Sequence, residues 1–340
     1  DDVVAYDRST GYDVARLRAG MWPTRHVADV AAAVARDLGC DRVWLPSSAP
    51  HGLIVPLLQR RGLRVAVATT HGAEAGMAPY PVGRRIIRAA ARADVLTYLG
   101  SWTRSQVERA VGTGRDESRW ARLAPGVDVQ QWSRRHDVVE RSLELKAELG
   151  LTERPVVACV SRLVPRKGQD RLIAAWPAVL RRFPDAVLLL VGAGPHARRL
   201  KAAAEPLGDS VRFTGRVAYA DLPAYTALAD IATLPARRRL AGLDVEGLGI
   251  VLLEAAALGI PTVACDTGGV RDALVDGVTG VLLSPHRDER KFTADLADTL
   301  CTLLSDSALR QRYGAAGRQW VHEHWTWDVP AATLAGLLSR

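Results

Sequence analysis

Two parallel α/β units in tandem are what this sequence predicts. Short aliphatic runs alternate with amphipathic stretches along the whole chain, the pattern of successive strand–helix units. Most of these runs are apolar at every position, which suits strands covered on both faces. The length of 340 residues exceeds one ordinary core and fits two.

Taken in order, Asp1–Tyr6 reads as a strand and His26–Leu38 as an amphipathic helix. Strands follow at Arg42–Leu45, Arg64–Thr69 and Asp94–Leu99. The polar segment Ser133–Arg154 reads as a linker with its own short helix over Glu140–Leu149. Beyond it, strands are expected at Val156–Val160, Ala186–Val191, Val211–Thr214, Ile231–Leu234, Thr262–Cys265 and Gly280–Leu283. Gln169–Arg182 and His196–Glu205 are helical in pattern. The tail Trp325–Leu338 looks like a last helix, anchored by Trp325, Trp327 and Leu334. The expected division is residues 1–135, a linker over 136–154, a second domain over 155–324 and a terminal helix over 325–340. A doubly wound domain usually opens with an apolar strand and a glycine-rich turn. Here the chain opens on Asp1–Tyr6, an ordinary later strand, so the first domain is expected to lack both.

Hydrophobic residues make up 48% and charged residues 24%, the balance of a globular chain and not of a disordered one. The longest apolar runs are too short to span a bilayer. No basic-then-apolar leader opens the chain, so no secretory signal is expected. Cys40, Cys159, Cys265 and Cys301 form no CxxC pair, and two of them sit in strand-like runs. Neither a disulfide scaffold nor a zinc site is expected, which fits a cytoplasmic protein.

The net charge of +8 is uneven, with a basic surplus of seven in residues 1–135 and one in the remainder. It concentrates in Val82–Ala93, where Arg84, Arg88 and Arg92 recur at i, i+4, i+8 with Ile86 and Ile87 beside them. Such a helix suits an anionic membrane surface; a merely solvated basic face has the same pattern. Aromatic residues total 6% and none interleaves with the arginines, so nucleic acid is not an expected partner.

Two motifs carry chemistry. Ser161-Arg-Leu-Val-Pro-Arg-Lys-Gly168 directly follows the strand Val156–Val160. A strand end, a turn with several cations and a helix start together make a place to neutralise a diphosphate. Arginine forks onto two oxygens, whereas lysine acts as a movable point charge. A plain basic surface loop has the same spacing. The second motif, Gly242-Leu-Asp-Val-Glu-Gly-Leu-Gly-Ile-Val-Leu-Leu-Glu254, sets Glu246 and Glu254 around a glycine turn that opens a helix near Ile250. Glycine lets a ligand approach the backbone, and free amides at the helix start hold phosphate. Glu254, expected two helical turns below that start, sits in an otherwise apolar helix, where an unpaired carboxylate is costly. It suits ribose hydroxyls; a backbone-satisfied structural glutamate is the plainer alternative.

With these motifs the chain resembles the retaining glycosyltransferases of family four, and among them the bacterial phosphatidylinositol mannoside mannosyltransferases. Asp94-Val-Leu-Thr-Tyr98, Pro125-Gly-Val-Asp128, Val191-Gly-Ala-Gly-Pro195, Phe213-Thr-Gly-Arg216 and Trp325-Thr-Trp327 support the likeness. The resemblance implies the GT-B fold: two Rossmann-like domains with parallel sheets facing across a cleft, the last helix crossing back to the first. It implies that Arg162 and Lys167 bind the donor diphosphate and that Glu254 holds the ribose. Glu246 would lie at the transferred sugar, the amides of Gly249, Ile250 and Val251 at sugar and phosphate, and Gly215 and Arg216 at the base. Thr70-His-Gly-Ala-Glu74 matches the family's histidine loop, which would put His71 at the reacting centre; alone, His71 reads as a capped loop histidine.

The implied reaction moves a hexose, mannose from GDP-mannose, onto a lipid-linked acceptor with retention, at the inner face of the cell membrane. A UDP-sugar transferase acting on a soluble small molecule and a non-catalytic nucleotide-sugar-binding protein are the alternatives. Gly192-Ala-Gly-Pro-His-Ala197 satisfies GxGxxA but lacks the acidic ribose ligand after the next strand, so a tight turn explains it. No Walker loop, nucleophile elbow or HExxH occurs. Asp244 and Glu246 resemble a metal-holding pair, yet Arg162 and Lys167 already carry the phosphate charge. No metal and no cofactor are expected.

Overall fold

The computed structural model describes residues 10–17 and 22–339. Helix α1 (Arg25–Asp37) starts where the Thr24 hydroxyl accepts the Val27 amide, and it buries Ala28, Ala32 and Ala35 along one stripe. Strand β1 (Arg42–Leu45), helix α2 (Val55–Arg60), β2 (Arg64–Ala68), helices α3 (Gly72–Met77) and α4 (Pro81–Ala90), β3 (Val95–Tyr98), α5 (Ser101–Val111) and β4 (Trp120–Arg122) complete the first unit. Its strands run parallel in the order β1-β2-β3-β4. The strand expected at Asp1–Tyr6 lies outside the described residues.

The helix expected over Glu140–Leu149 starts earlier and packs on the second unit. Residues read as a linker form α6 (His136–Glu148), whose Val138 and Leu145 join Trp132 and Leu151 in the core beside Val156 and Leu189. The segment is polar because only one stripe of that helix is buried. Then come β5 (Val156–Val160), α7 (Gln169–Arg182), β6 (Val187–Val191), α8 (Ala197–Ala204), β7 (Val211–Gly215), α9 (Leu222–Ala227), β8 (Ile231–Leu234), α10 (Ile250–Ala257), β9 (Thr262–Cys265), β10 (Gly280–Leu283), α11 (Glu289–Ser305), α12 (Ser307–His324) and α13 (Asp328–Leu338). The six strands are parallel in the order β10-β9-β8-β5-β6-β7. Every residue of β6, β8 and β9 is buried, so helices cover both faces of the sheet.

The strand order reverses between β5 and β8. In open α/β sheets the crevice outside the carboxyl ends at such a switch point is where ligands bind. The loops leaving β5 and β8 are residues 161–168 and 235–249, so both sequence motifs open into the same crevice.

Two crossovers join the units. The Val127 amide donates to the Trp325 carbonyl at 2.6 Å, and Val127 pairs with Thr326 as an isolated bridge. Beyond it α13 lies on the first sheet, where Leu337 packs with Ala66, Val67 and Val95. Of the anchors read in the tail, Trp325 is buried and Leu334 packs at the edge of this cluster, whereas Trp327 is exposed. Trp327 precedes Asp328, the first residue of α13, where the chain turns away from the core.

Helix α4 also departs from expectation. Ile86 and Ile87 are core residues of the first unit and flank no surface. Arg92 falls two residues past the end of α4, leaving Arg84, Arg85 and Arg88 as its exposed cations. One helix cannot bury a 100° stripe and also present it to lipid.

Candidate active site

The cation loop stands directly on the glycine turn after β6. Leu163 donates its amide to the Ala193 carbonyl at 2.9 Å. A Cβ on Gly194 would lie 2.3 Å from the Leu163 carbonyl oxygen, so the GxG pattern serves close packing beneath the loop. The loop ends at Gly168, with φ of +78° and the Pro235 carbonyl where a side chain would begin. Strand β8's exit thereby sits against that of β5.

Lys167 is buried, and its Nζ lies 2.6 Å from Oε2 of the equally buried Glu246. Arg166 approaches the same oxygen at 3.6 Å and Asp244 at 3.4 Å, while Arg239 takes the other oxygen of Asp244 at 3.3 Å. Arg162 is exposed at the start of the loop and forms no ion pair with a described carboxylate. Among the described residues the loop therefore carries one exposed cation without a carboxylate partner and one held by a buried glutamate. Asp244 holds two arginines rather than joining an acidic cluster. Among the described residues no group of three or more His, Cys, Asp or Glu could hold a metal ion.

Gly249, with φ of +84°, turns the chain into α10, where the first amides of Ile250 and Val251 face outward at the positive end of the helix. Glu254 is the fifth residue of this eight-residue helix, one turn below its start and not two. Burial pushes its carboxyl up to about 7, although the charge of Lys167 pulls the other way. Gly215 and Arg216, both exposed, stand at the end of β7, two strands from the switch point.

The raised Glu254 carboxyl has a pH consequence of definite sign. In the unfolded chain the group ionises near its ordinary value of 4.5, whereas the folded state holds the proton to about 7. Stability is thus expected to fall as pH rises from about 4.5 to about 7 and to level off above, by on the order of 3 kcal/mol. Glu254→Gln removes this dependence. Its advantage over wild type in urea unfolding should widen between pH 5 and pH 8, and an equal difference at both would contradict the assignment.

His71 stands on the first unit, just before α3. Its ring Nε2 donates to the Pro46 carbonyl oxygen at 2.8 Å, since a carbonyl can only accept. The Glu74 carboxylate accepts the His71 amide at 3.2 Å and the Ser47 hydroxyl at 2.8 Å. The capped-loop alternative thus describes its local bonds, while the ring stays exposed.

Its neighbour Gly72 meets the second unit. A Cβ on Gly72 would fall 2.5 Å from the Gly247 Cα, and one on Gly247 would fall 2.6 Å from the Gly72 Cα. His71 and Glu246 each stand one residue away from this backbone contact. The sequence gives no sign of the pairing, nor of a second seam where Ser101 at the start of α5 donates its amide to Asp272 at 3.1 Å. Arg166 and Asp244 also escaped assignment as site residues. Both lie inside the quoted motifs, and the opposite signs of the two loops, Arg166-Lys167 against Asp244 and Glu246, are the available signal.

Parallel sheets facing across a cleft, with cations and glutamates gathered at the switch point of the second, define a GT-B glycosyltransferase. The chain belongs to the glycosyl transferases group 1 family, whose model matches residues 142–320. It is 40% identical to the GDP-mannose-dependent alpha-(1-6)-phosphatidylinositol monomannoside mannosyltransferase of Mycolicibacterium smegmatis, over 96% of this chain and 86% of that one. The GDP-mannose-dependent monoacylated alpha-(1-6)-phosphatidylinositol monomannoside mannosyltransferase of Corynebacterium glutamicum is 38% identical over 99% and 87%. Among solved structures, Anabaena HepE in complex with UDP matches with a TM-score of 0.77 at 20% identity, covering 92% of this chain and 82% of that one. Sucrose-phosphate synthase from Thermosynechococcus elongatus gives 0.76 at 22%, covering 95% and 81%. These two share the fold.

Proposed function

We propose that this enzyme transfers mannose from GDP-mannose to a phosphatidylinositol mannoside, with retention at the anomeric carbon. The relatives named above supply donor and acceptor, and the observation that carries the chemistry is the cation–glutamate cluster at the switch point. Arg162, Lys167 and the start of α10 stabilise the diphosphate as negative charge develops on it. Glu254 accepts from the ribose hydroxyls. Gly215 and Arg216 border the base. Glu246 and His71 orient the sugar; the acceptor hydroxyl attacks from the leaving-group face as the anomeric carbon–phosphate oxygen bond breaks, and its proton passes to the departing diphosphate oxygen, so no strong protein base is needed. The two cations answer the phosphate charge without a metal or other cofactor. Incubation of the enzyme with GDP-mannose and vesicles containing a phosphatidylinositol monomannoside tests this. Mannosyl transfer that persists in a chelator is expected, and transfer from UDP-sugars alone would overturn the donor assignment.

A lipid-linked acceptor requires the enzyme to work at a membrane. Among the described residues no helix is long and apolar enough to cross one. Arg84, Arg88 and Arg92 are exposed on the first unit and suit a peripheral contact with anionic lipid at the inner face. Each basic residue near such a surface contributes about 1 kcal/mol. Replacing all three by glutamine should therefore weaken binding to phosphatidylglycerol vesicles roughly 100-fold. Unchanged co-sedimentation at low salt would remove the arginines from the contact.

A further inference from the structure

Residues 238–243, Arg-Arg-Leu-Ala-Gly-Leu, belong to the loop between β8 and the acidic motif, and three features set them apart. First, Leu240 and Ala241 adopt φ of +49° and +53°, a left-handed conformation that side chains disfavour and that persists only where surroundings impose it. Secondly, the imposed conformation exposes apolar surface, since Leu240 is 64% and Leu243 41% accessible. Thirdly, the loop is pinned to the first unit. The Tyr80 hydroxyl donates to the Ala241 carbonyl at 2.8 Å, and Gly76 lies so close that a Cβ would sit 2.9 Å from the Gly242 oxygen.

Tyr80 is the residue before α4, and two positions on is Val82, 70% exposed. Exposed cations stand near the apolar residues in sequence on both units. Arg84 and Arg85 follow on α4, and Arg238 begins the loop. In the run of three arginines, Arg237 pairs with Asp170 at 2.7 Å and Arg239 with Asp244, while Arg238 pairs with no described carboxylate. Isolated exposed leucines are ordinary. Here three exposed apolar residues stand within two positions of the ends of one interdomain hydrogen bond, near arginines that pair with no described carboxylate.

We infer that Val82, Leu240 and Leu243 form one membrane-contact platform shared by both domains, the apolar side chains entering the interface of an anionic bilayer while the arginines meet its phosphates. The inference rests on the lipid-acceptor reading and extends it. Contact is made by both lips of the cleft at the Tyr80–Ala241 bond, and the surface that delivers the acceptor also holds the domains together.

The test uses the full chain and vesicles of phosphatidylcholine with phosphatidylglycerol, without acceptor. Leu240→Ser with Leu243→Ser is expected to weaken vesicle binding at least 10-fold while leaving GDP affinity unchanged. Independently, Leu240→Trp should show blue-shifted emission on vesicles and quenching by brominated acyl chains. Wild-type vesicle affinity in the serine variant, or a tryptophan that stays in water, would overturn the platform. In a separate transfer assay with acceptor-bearing vesicles, an effect confined to the acceptor KM would also overturn it and make the loop an acceptor subsite instead. If vesicle binding and quenching behave as expected but no mannose is transferred, the functional reading fails and the platform stands.

Discussion

Lys167→Ala should cut turnover by roughly a thousandfold, the upper range for removing one preorganised donor from a developing anion. The same change leaves Glu246 buried without its closest cation. Breaking such a pair from one side costs about 3–5 kcal/mol of stability, so turnover alone would not separate chemistry from folding. Lys167→Ala combined with Glu246→Gln removes the stranded charge. Its melting temperature should recover much of the loss while mannosyl transfer stays near background. Arg162→Ala should impair turnover less and spare stability, because Arg162 is exposed and unpaired with any described acid. Near-normal turnover in Lys167→Ala, measured with saturating donor, would refute the phosphate assignment.

Gly247→Ala is expected to be nearly as damaging by a different route. The added Cβ would meet backbone of Gly72 at 2.6 Å, and backbone has no rotamer to yield. The seam must open, and with it the spacing between His71 and Glu246. A displacement of about 1 Å at a reacting centre is worth about 100-fold in rate. GDP affinity should stay within about twofold, because the cation loop and α10 both belong to the second unit. A fall in kcat/KM for transfer with intact GDP binding is therefore the expected split. Equal losses in both would mean that the substitution unfolds the glutamate loop rather than opening the seam.

Much of this architecture is legible before any coordinates. In the second unit four strands and α7 fall at their expected boundaries, because these short runs are almost wholly aliphatic and are bounded by polar, glycine or proline residues. The two motif loops are legible as well, since cations at one strand exit and a glycine turn between two glutamates at another narrow the reading only when taken together. What the sequence hides is partnership at a distance. Lys167 and Glu246, Gly72 and Gly247, and Ser101 and Asp272 meet only through tertiary packing. Burial of a half-apolar helix is equally hidden, because periodicity names the apolar stripe but not what covers it. Ile86 and Ile87 went to the core and Val82 to the surface for that reason, and the helix expected over Glu140–Leu149 starts at His136 and buries one stripe on the same ground.

The central claim is that the switch-point cluster binds a guanosine diphosphate sugar through protein cations. Titration calorimetry of the full chain with GDP, UDP, ADP and NAD, in chelator and without acceptor, addresses it most directly. Micromolar binding of GDP alone, lost in Lys167→Ala, is the predicted result. Preference for UDP would keep the fold and discard mannose, and GDP binding that survives Lys167→Ala unchanged would contradict the account at its centre.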